Sequence, residues 1–459
     1  YFGMRLFQST GGSDTARIAA TPKAPLLAAS PSLVAVQVWD GITDMWSSPQ
    51  PAHNQDPVGP SGRAWFVSSS ATAFGNVNYR TLTWAGGVPM LSGTSVLTTS
   101  AYGNPIDAPA LGSTVNLDSG DDRIIMAVIR NNHLWTSRNV GVNSSGGSSG
   151  ADRTGCEWLE LDVTGATPGL IQNGRVYDTA ASNPRFYFYP SIMVSGQGHV
   201  FMGFSGSKST EFAGGYACGR LATDILNTMG PIVTIKSGDA SYQRLDGSNR
   251  NRWGDYSYTS LDPSDDMTLW TIQEYATNIG ANIWGTWTTR LLAPPPTLVN
   301  PNAAGCEGQT GVGLALTGTD FYDPGSGYPN RLSVALTGGA VNGISNYSIT
   351  FNSPTSVNVS FDIAPNATPG PRDIVLTNPD GQSVTVFGGF TVRAPVSITS
   401  QPASLVRCVG QSATFCVIAS GLDLISYQWM KNGANILGAT SSCYTIPSVS
   451  STDSGGYSV

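Results

Sequence analysis

The choice of charged residues constrains the fold of this 459-residue chain most strongly. Its acidic residues are 25 aspartates and only 5 glutamates, and its basic residues are 19 arginines and only 4 lysines. Aspartate favours turns because its carboxylate bonds to nearby backbone, whereas glutamate and lysine usually populate the exposed faces of helices. With 54 glycines and 29 prolines as turn formers, the sequence predicts an all-β protein of short strands and tight turns.

Three segments repeat one pattern of strand, turn and strand. They cover residues 114–129, 190–205 and 258–273. The turns are rich in glycine, aspartate or proline, as in β-hairpins. When the segments are aligned on the turn, Asp118, Val194 and Asp262 correspond. A fourth, weaker copy ends in RAWFVSSS, where Arg63 aligns with Arg123.

These repeats favour a β-propeller over residues 1–292, with at least four blades and a truncated N-terminus. The repeats exceed the usual blade length of about 40–50 residues, and two inserted loops, 141–155 and 208–220, account for the excess. An array of stacked β-sandwiches is the competing geometry. Because the chain starts without Met and ends inside a strand pattern, we expect it to be part of a longer protein.

Two smaller domains are predicted after the propeller. The proline-rich residues 293–297 predict a stiff linker. Residues 298–393 alternate apolar and polar residues around an NPDG turn, which predicts one immunoglobulin-like β-sandwich. Residues 394–459 follow the strand order of an immunoglobulin domain that is incomplete at its C-terminus. There, Trp429 takes the position of the buried tryptophan of strand C, and Tyr457 that of the tyrosine corner.

Several long strings resemble a bacterial extracellular β-propeller family. They include QPAHNQDP, LDSGDDRIIMAVIRNNHLW and RWGDYSYTSLDPSDDMTLWTIQEYA, within residues 50–296. Residues 298–393 resemble the IPT/TIG-type sandwiches of bacterial surface proteins, and residues 394–459 resemble bacterial I-set-like immunoglobulin domains. The propeller family is mostly uncharacterised, so the resemblance implies secretion and a surface or matrix role and supplies no catalytic residues.

The six cysteines fit an oxidising compartment. In the immunoglobulin-like segment, Cys416 and Cys443 are expected to face outward from neighbouring strands B and E, which predicts a cross-strand disulfide. Cys156 and Cys218 lie in consecutive repeats, and a bridge between them is as compatible with the sequence as its absence. The cysteines left over are Cys306 and Cys408. Each of these two thiols is expected either to be buried or to pair with a cysteine outside this sequence.

No catalytic constellation is found. A propeller raises the question of a sialidase-type hydrolase, which needs an arginine cluster, a tyrosine nucleophile paired with glutamate, and an acid/base aspartate. Only Glu274 has a neighbouring tyrosine, Tyr275, and neighbours on a strand point to opposite faces. The other glutamates of the propeller region are Glu157, Glu160 and Glu211. His53, His133 and His199 are isolated, no zinc-binding motif is present, and no GxSxG motif lies between a strand and a helix.

Two turns carry the motif LDxxDD. Their carboxylates are Asp118, Asp121, Asp122, Asp262, Asp265 and Asp266. Such a turn can hold Ca²⁺, or its carboxylates can cap the turn by accepting backbone N–H groups. Capping is favoured because the middle repeat has VSGQG here and keeps the hairpin pattern. No other cofactor is predicted.

Aromatic residues cluster in the last repeat. They are Trp253, Tyr256, Tyr258, Trp270, Trp284 and Trp287. Exposed aromatic rings can serve as sugar-binding platforms, but burial in the propeller core is the favoured interpretation.

The net charge of −7 argues against nucleic acid as a partner, and no apolar run approaches the roughly 20 residues of a membrane helix. We therefore predict a non-catalytic, extracellular, bacterial surface or matrix protein with a structural or adhesive role. Its expected partners are copies of itself, other surface proteins or glycans. The alternative is a carbohydrate-binding or sialidase-like glycoside hydrolase propeller, distinguished by a convergent set of Arg, Glu and Tyr side chains at the channel mouth.

Overall fold

The computed structural model describes residues 2–6, 15–45, 48–56, 62–70, 73–280, 282–421 and 425–459. Strands account for 49% of the structure and helices for 2%, which confirms the all-β prediction. The described helices include the short 3-10 turns Ala24–Leu26 and Ser451–Asp453. None of the described helices has the length and hydrophobicity needed to span a bilayer. The chain divides into two compact units, residues 1–293 and 294–459.

The first unit is a succession of mainly antiparallel sheets. The first sheet contains β1 (Phe2–Leu6), β2 (Thr15–Ala20) and β3 (Gln37–Ile42). The second contains β4 (Gln50–Pro51), β6 (Ala64–Ser69), β7 (Asn76–Ala85), β8 (Val88–Leu91) and β9 (Ser95–Thr98). The third contains β5 (His53–Asn54), β10 (Ile124–Arg130), β11 (His133–Val142), β12 (Arg153–Asp162) and β13 (Gly169–Val176).

Two further sheets complete this unit. The fourth contains β14 (Phe186–Val194), β15 (Val200–Lys208), β16 (Glu211–Arg220) and β17 (Val233–Lys236). The fifth contains β18 (Tyr258–Leu261), β19 (Leu269–Thr277) and β20 (Ile283–Leu291).

Buried apolar layers lie between successive sheets. Representative members are Ile18 with Phe66, Val77 with Ile129, and Trp158 with Met202 and Leu269. Because a sheet in the middle of such a stack has both faces covered, its strands are buried on both faces; β14 is buried along its whole length. Face-to-face packing of consecutive sheets is the arrangement of propeller blades. In the described residues, however, the stack does not close into a propeller ring.

Two of the three predicted hairpins are present. One joins β14 to β15 and the other joins β18 to β19. The prediction for residues 114–129 is wrong, because Leu117 forms only isolated bridges before β10. Asp118 therefore lies in the loop that leads into β10, whereas Asp262 lies in the hairpin between β18 and β19, and the two turns are not equivalent. The two turns share the LDxxDD motif, but only the second one joins two strands that pair with each other.

The second unit begins with two four-stranded sheets that share a core. One contains β21 (Thr297–Leu298), β23 (Val312–Thr319), β25 (Ile344–Ser353) and β26 (Ser356–Ile363). The other contains β22 (Ala303–Cys306), β24 (Ser333–Thr337), β27 (Gly370–Thr377) and β28 (Ser383–Arg393). Leu316, Phe361, Ile374 and Phe390 belong to this core. The predicted NPDG hairpin joins β27 to β28, with Gly381 at φ +86°.

The last segment consists of shorter strands. They are β29 (Ser397–Ser400), β30 (Ala413–Cys416), β31 (Ile418–Ser420), β32 (Met430–Lys431), β33 (Ala434–Asn435), β34 (Cys443–Ile446) and β35 (Tyr457–Ser458). Trp429 is fully buried, with its ring centroid 6.2 Å from that of Phe415 and 6.3 Å from that of Tyr444. The Tyr457 hydroxyl donates to the carbonyl oxygen of Asp453 at 2.9 Å, as in a tyrosine corner.

Candidate functional site

A cavity of about 270 Å³ opens in the first unit beside the segments that lead into β10 and β18. Charged side chains from these two segments form its wall. They are Asp118, Asp121, Arg123, Arg250, Arg252 and Asp255. The buried side chains of Asn139 on β11 and Tyr189 on β14 form its floor. The cavity thus combines parts of three consecutive sheets.

The side chain of Asn139 holds the floor together. Its Nδ2 donates to the carbonyl oxygens of Ser119 and Asp121, at 2.7 and 3.2 Å. Its Oδ1 accepts the backbone N–H of Tyr189 at 2.7 Å. One buried amide therefore fixes the turn before β10 against β14.

Tyr189 has a φ of +54°, which is unfavourable for a bulky residue. Hydrogen bonds maintain this conformation: the Tyr189 hydroxyl donates to the carbonyl oxygen of Asp118 at 3.1 Å, and Ser257 Oγ donates to the Tyr189 carbonyl at 2.8 Å. A β-carbon at Gly120 would lie 2.8 Å from the Tyr189 ring, and Gly120 itself has a φ of +70°. Backbone strain is thus concentrated at the floor and is held there by its neighbours.

Arg252 bridges two carboxylates of the wall. Its Nη1 donates to Asp118 Oδ2 at 2.8 Å, and its Nη2 lies 3.0 Å from both carboxylate oxygens of Asp255. Arg250 Nη1 lies 3.5 Å from Asp118 Oδ2, and Arg250 Nη2 lies 2.9 Å from Asp246 Oδ2. Both guanidinium groups are therefore anchored by carboxylates.

Arg123 and Asp121 form a second, bidentate ion pair, with both N···O distances at 2.7 Å. The side-chain hydrogen bond to Asp121 raises the pKa of Arg123 above its ordinary value. Tyr256, which follows the wall residue Asp255 in the chain, is 61% exposed. With three arginines and three aspartates, the lining of the cavity is balanced in charge.

The carboxylates of the first LDxxDD turn are bonded to protein donors. Asp118 Oδ1 accepts the N–H of Gly120 at 2.9 Å, the capping interaction predicted for such a turn. Asp122 Oδ2 accepts the hydroxyl of Tyr102 at 2.6 Å. With the Asp121–Arg123 ion pair, each of the three carboxylates in this turn therefore has a partner within the protein.

The second LDxxDD turn lies elsewhere and is capped in the same way. Asp262 Oδ1 accepts the N–H of Ser264 at 2.9 Å, and Asp265 Oδ1 accepts the N–H of Thr268 at 2.8 Å. The buried Asp266 carboxylate pairs with Arg130. Within the described ranges, no three His, Cys, Asp or Glu side chains are grouped as metal ligands. The carboxylates of both turns are used for capping and ion pairing.

Calcium should consequently leave the melting temperature unchanged. We expect a difference of less than about 1 °C between excess CaCl₂ and EDTA, because a ligand stabilises only the state that binds it. Melting curves at matched ionic strength provide the measurement, since exposed ion pairs respond to salt. A calcium-dependent rise of several degrees would contradict the capping assignment.

Glu157 on β12 is fully buried between two arginines. Its Oε2 accepts Nε and Nη2 of Arg138 at 2.8 and 2.6 Å, and its Oε1 accepts Nε and Nη2 of Arg175 at 3.0 and 2.9 Å. Arg138 also donates to the carbonyl oxygen of Asn76 at 3.0 Å and stacks 4.3 Å from the Tyr102 ring centroid. This Arg–Glu–Arg triad links β11, β12 and β13 to the second sheet.

Two other predicted glutamates also have structural partners. Glu160 Oε1 lies 2.5 Å from His133 Nδ1, and this hydrogen bond raises the pKa of His133. Glu211 forms a bidentate pair with Arg185 near the end of the hairpin between β15 and β16. His53 lies on β5 of the same sheet, and His199 precedes β15 of the next sheet.

Glu274 and Tyr275 do not form a catalytic pair. Glu274 Oε2 accepts the N–H of Gly254 at 3.0 Å, whereas the Tyr275 ring lies 4.5 Å from Lys236 Nζ. Burial raises the pKa of Glu274 from its ordinary 4.5 to about 7. The folded state therefore binds this proton more tightly than the unfolded chain does.

We expect Glu274 to make stability depend on pH. The stabilisation is present below about pH 4.5 and is lost as the pH rises through about 7. Glu274→Gln should remove this component and raise stability at pH 8 by about 2 kcal/mol, a figure reduced for partial exposure. Urea denaturation at several pH values is the measurement, with Glu307→Gln as the control. An unchanged pH profile in Glu274→Gln would contradict this role.

The cysteines divide into one bonded pair and four thiols in the described residues. Cys416 and Cys443 face each other across β30 and β34 and form the predicted disulfide. The candidate bridge between Cys156 and Cys218 is not formed: both are free, buried thiols in one apolar cluster. Burial raises the pKa of Cys218 to about 12. The other two free thiols are the half-buried Cys306 and the exposed Cys408.

The prediction that the aromatic cluster is buried is mostly wrong. Trp253 is buried, but the other five rings are 36–61% exposed. On the fifth sheet, Trp287 shares a face with Gln273, whereas the exposed rings of Tyr258, Trp270 and Trp284 share the opposite face. A sheet at the end of the described stack leaves this face in solvent.

No protein-family model matches the chain, and no curated protein matches it. Solved structures with partial similarity include the extracellular region of plexin A4, with a TM-score of 0.21, 7% identity, and coverage of 98% of this chain and 78% of plexin. Sidekick-1 immunoglobulin domains 1–5 give a TM-score of 0.17, 13% identity and coverage of 83% and 81%. The eight N-terminal immunoglobulin domains of Down Syndrome Cell Adhesion Molecule give a TM-score of 0.21 and 12% identity, with coverage of 92% of this chain and 59% of that one. Similarity at this level assigns neither family nor activity.

The sequence indicated part of the cavity and missed the rest. Asp118 and Asp121 were singled out, but as turn caps or calcium ligands. Arg250, Arg252 and Asp255 were not, although these three charged residues lie within six positions of one another just before a strand. That concentration of charge in a pre-strand segment is the signal that could have found them.

Proposed function

We propose that this chain is a non-catalytic, adhesive protein of the bacterial cell surface or extracellular matrix. In this proposal, residues 1–292 are a head built as part of a β-propeller, residues 293–297 are a linker, and residues 298–393 and 394–459 are immunoglobulin-like modules. The observation that carries it is the cavity beside Tyr189. Its charged side chains are paired with one another over a rigid floor, as in a site that binds without chemical change.

The acidic groups of the head support a non-catalytic role. A general acid or base needs a pKa near the working pH and reach to a reacting atom. Glu274 satisfies the first condition, but its carboxylate is held by the Gly254 N–H. Glu157 is fully buried between arginines. The Glu157 carboxylate therefore serves to hold neighbouring strands together.

The Cys416–Cys443 disulfide supports an extracellular location. Both cysteines are exposed, so a reducing cytosol would have access to the bond, and disulfides of this kind persist in oxidising compartments. The partners that we propose are surface glycans, other surface proteins and further copies of this chain.

Beads coated with the full chain test this function. We expect them to attach to a bacterial or host cell layer, or to clump with one another, whereas beads coated with heat-denatured chain do neither. We also expect no turnover of fluorogenic glycosides, sialosides included, between about pH 5 and 8. Glycoside turnover, or beads that neither attach nor clump, would overturn the proposal.

A further inference from the structure

We propose that the cavity beside Tyr189 binds one neutral saccharide unit through its paired arginines and aspartates. The inference rests on the proposed adhesive function and names the chemical class of the partner. It follows from four properties of the cavity: its charge balance, its arrangement of donors and acceptors, its size with the adjoining ring, and its rigidity.

Charge balance excludes ions as the preferred ligand. Arg252 already binds Asp118 and Asp255, Arg123 binds Asp121, and each contact lies at 2.7–3.0 Å. An anion would have to displace one of these carboxylates, and a cation would have to displace a guanidinium group. Either exchange leaves a charge without its partner, which is costly in a partly buried site. A neutral ligand leaves the ion pairs intact.

The paired side chains present donors and acceptors side by side. A guanidinium group has five N–H donors in a planar fork, and a carboxylate has about four acceptor positions. Ion pairing uses only some of them, and the wall is accessible, with side-chain exposures of 35% for Arg252, 33% for Asp255 and 55% for Arg250. Adjacent hydroxyl groups of a sugar can accept from the arginine and donate to the aspartate. Hydrogen bonds to charged groups are the stronger ones.

The dimensions fit a single sugar ring. A cavity of about 270 Å³ is slightly smaller than the range of drug-sized sites, about 300–1,000 Å³. The exposed ring of Tyr256, which follows the wall residue Asp255 in the chain, offers a flat apolar surface against which the C–H face of a sugar can pack. Additional units of a glycan would extend into solvent from this edge.

The floor is pre-organised for binding. Tyr189 is held at positive φ by bonds from Asn139, Ser257 and the turn at Asp118. Because such strain persists only where the surroundings fix it, the floor does not rearrange when a ligand enters. Less entropy is then lost on binding.

Saturation-transfer NMR on the full chain tests the proposal. The probes are methyl glucoside, galactoside, mannoside and N-acetylglucosaminide at about 10 mM, since a single-sugar site is expected near millimolar Kd. Methyl glucuronide and N-acetylneuraminic acid are the acidic comparison. We expect at least one neutral probe to bind, and to bind better than either acid.

The decisive variant exchanges one ion pair of the wall for neutral amides, Asp121→Asn with Arg123→Gln. We expect this double variant to bind the neutral probe with an affinity lower by about tenfold or more. The matched control, Arg185→Gln with Glu211→Gln, removes a bidentate pair of similar exposure that does not line the cavity, and it should bind as the parent does. Circular dichroism checks folding, and Arg250→Gln, which changes the most exposed wall residue, serves if the double variant unfolds.

Binding of no neutral probe, preference for an acid, or unchanged affinity in the wall variants would each overturn the saccharide assignment. The bead assay separates this failure from failure of the adhesive function. If beads coated with the wall variant still attach, adhesion remains and the cavity is not its contact. If wild-type beads do not attach but a neutral probe binds at the cavity, the site is correct and the adhesive function is wrong.

Discussion

Glu157→Gln is expected to lower the free energy of unfolding by about 3–5 kcal/mol, the loss seen when one partner of a buried ion pair is removed. The carboxylate is fully buried and receives four hydrogen bonds, two from Arg138 and two from Arg175. The glutamine amide carries no negative charge, so the guanidinium groups of Arg138 and Arg175 would stay buried without the carboxylate that now neutralises one of them. Chemical denaturation followed by tryptophan fluorescence measures the loss.

Glu211→Gln is the matched control for this prediction. Glu211 also receives a bidentate arginine, but its side chain is 34% exposed, against 0% for Glu157. Exposed pairs contribute about 0–1 kcal/mol, so the two substitutions should differ several-fold. Equal losses in both variants would show that burial of the triad does not determine its contribution.

Replacing both Cys416 and Cys443 by serine is expected to destabilise the immunoglobulin-like segment by about 3 kcal/mol. The bond closes a loop of 27 residues, and opening it releases that loop's entropy in the unfolded state. Serine has nearly the size of cysteine, and both positions are exposed, so little packing is lost. Hydrogen exchange of peptides from β30 and β34 measures the local stability.

Cys408→Ser is the control, since Cys408 is an exposed free thiol in the same unit. It should exchange as the parent does, and reduction of the parent with dithiothreitol should reproduce the double variant. If β30 and β34 stay as protected in the double variant as in the parent, the disulfide does not stabilise this segment.

Local chemistry made much of the fold predictable. The depletion of glutamate and lysine indicated an all-β chain, and the NPDG motif located the hairpin between β27 and β28. The hairpin prediction around Asp118 was wrong because an Asp- and Gly-rich turn has the same composition whether or not a strand precedes it. Strand pairing is set by long-range contacts, here the bridges of Leu117 with Ala108 and Asn251.

The cavity was harder to predict for the same reason. Asp118 and Arg252 are 134 residues apart and meet where the segment before β10 pairs with the segment before β18, at the bridge between Leu117 and Asn251. The disulfide was accessible to sequence reasoning because alternation on two neighbouring strands fixes the direction of Cys416 and Cys443. For Cys156 and Cys218, on different sheets, no such local rule applies.

The placement of the disulfide has a mechanical consequence when the chain is stretched. The bond lies between two directly paired strands, β30 and β34. When force unravels this segment, the 27-residue separation between the sulfur-bearing residues cannot enter the extended path. At about 3.4 Å per residue, roughly 90 Å of contour length is withheld. The segment would therefore act as a short tether whose maximum length is set covalently, and a reducing environment would lengthen it.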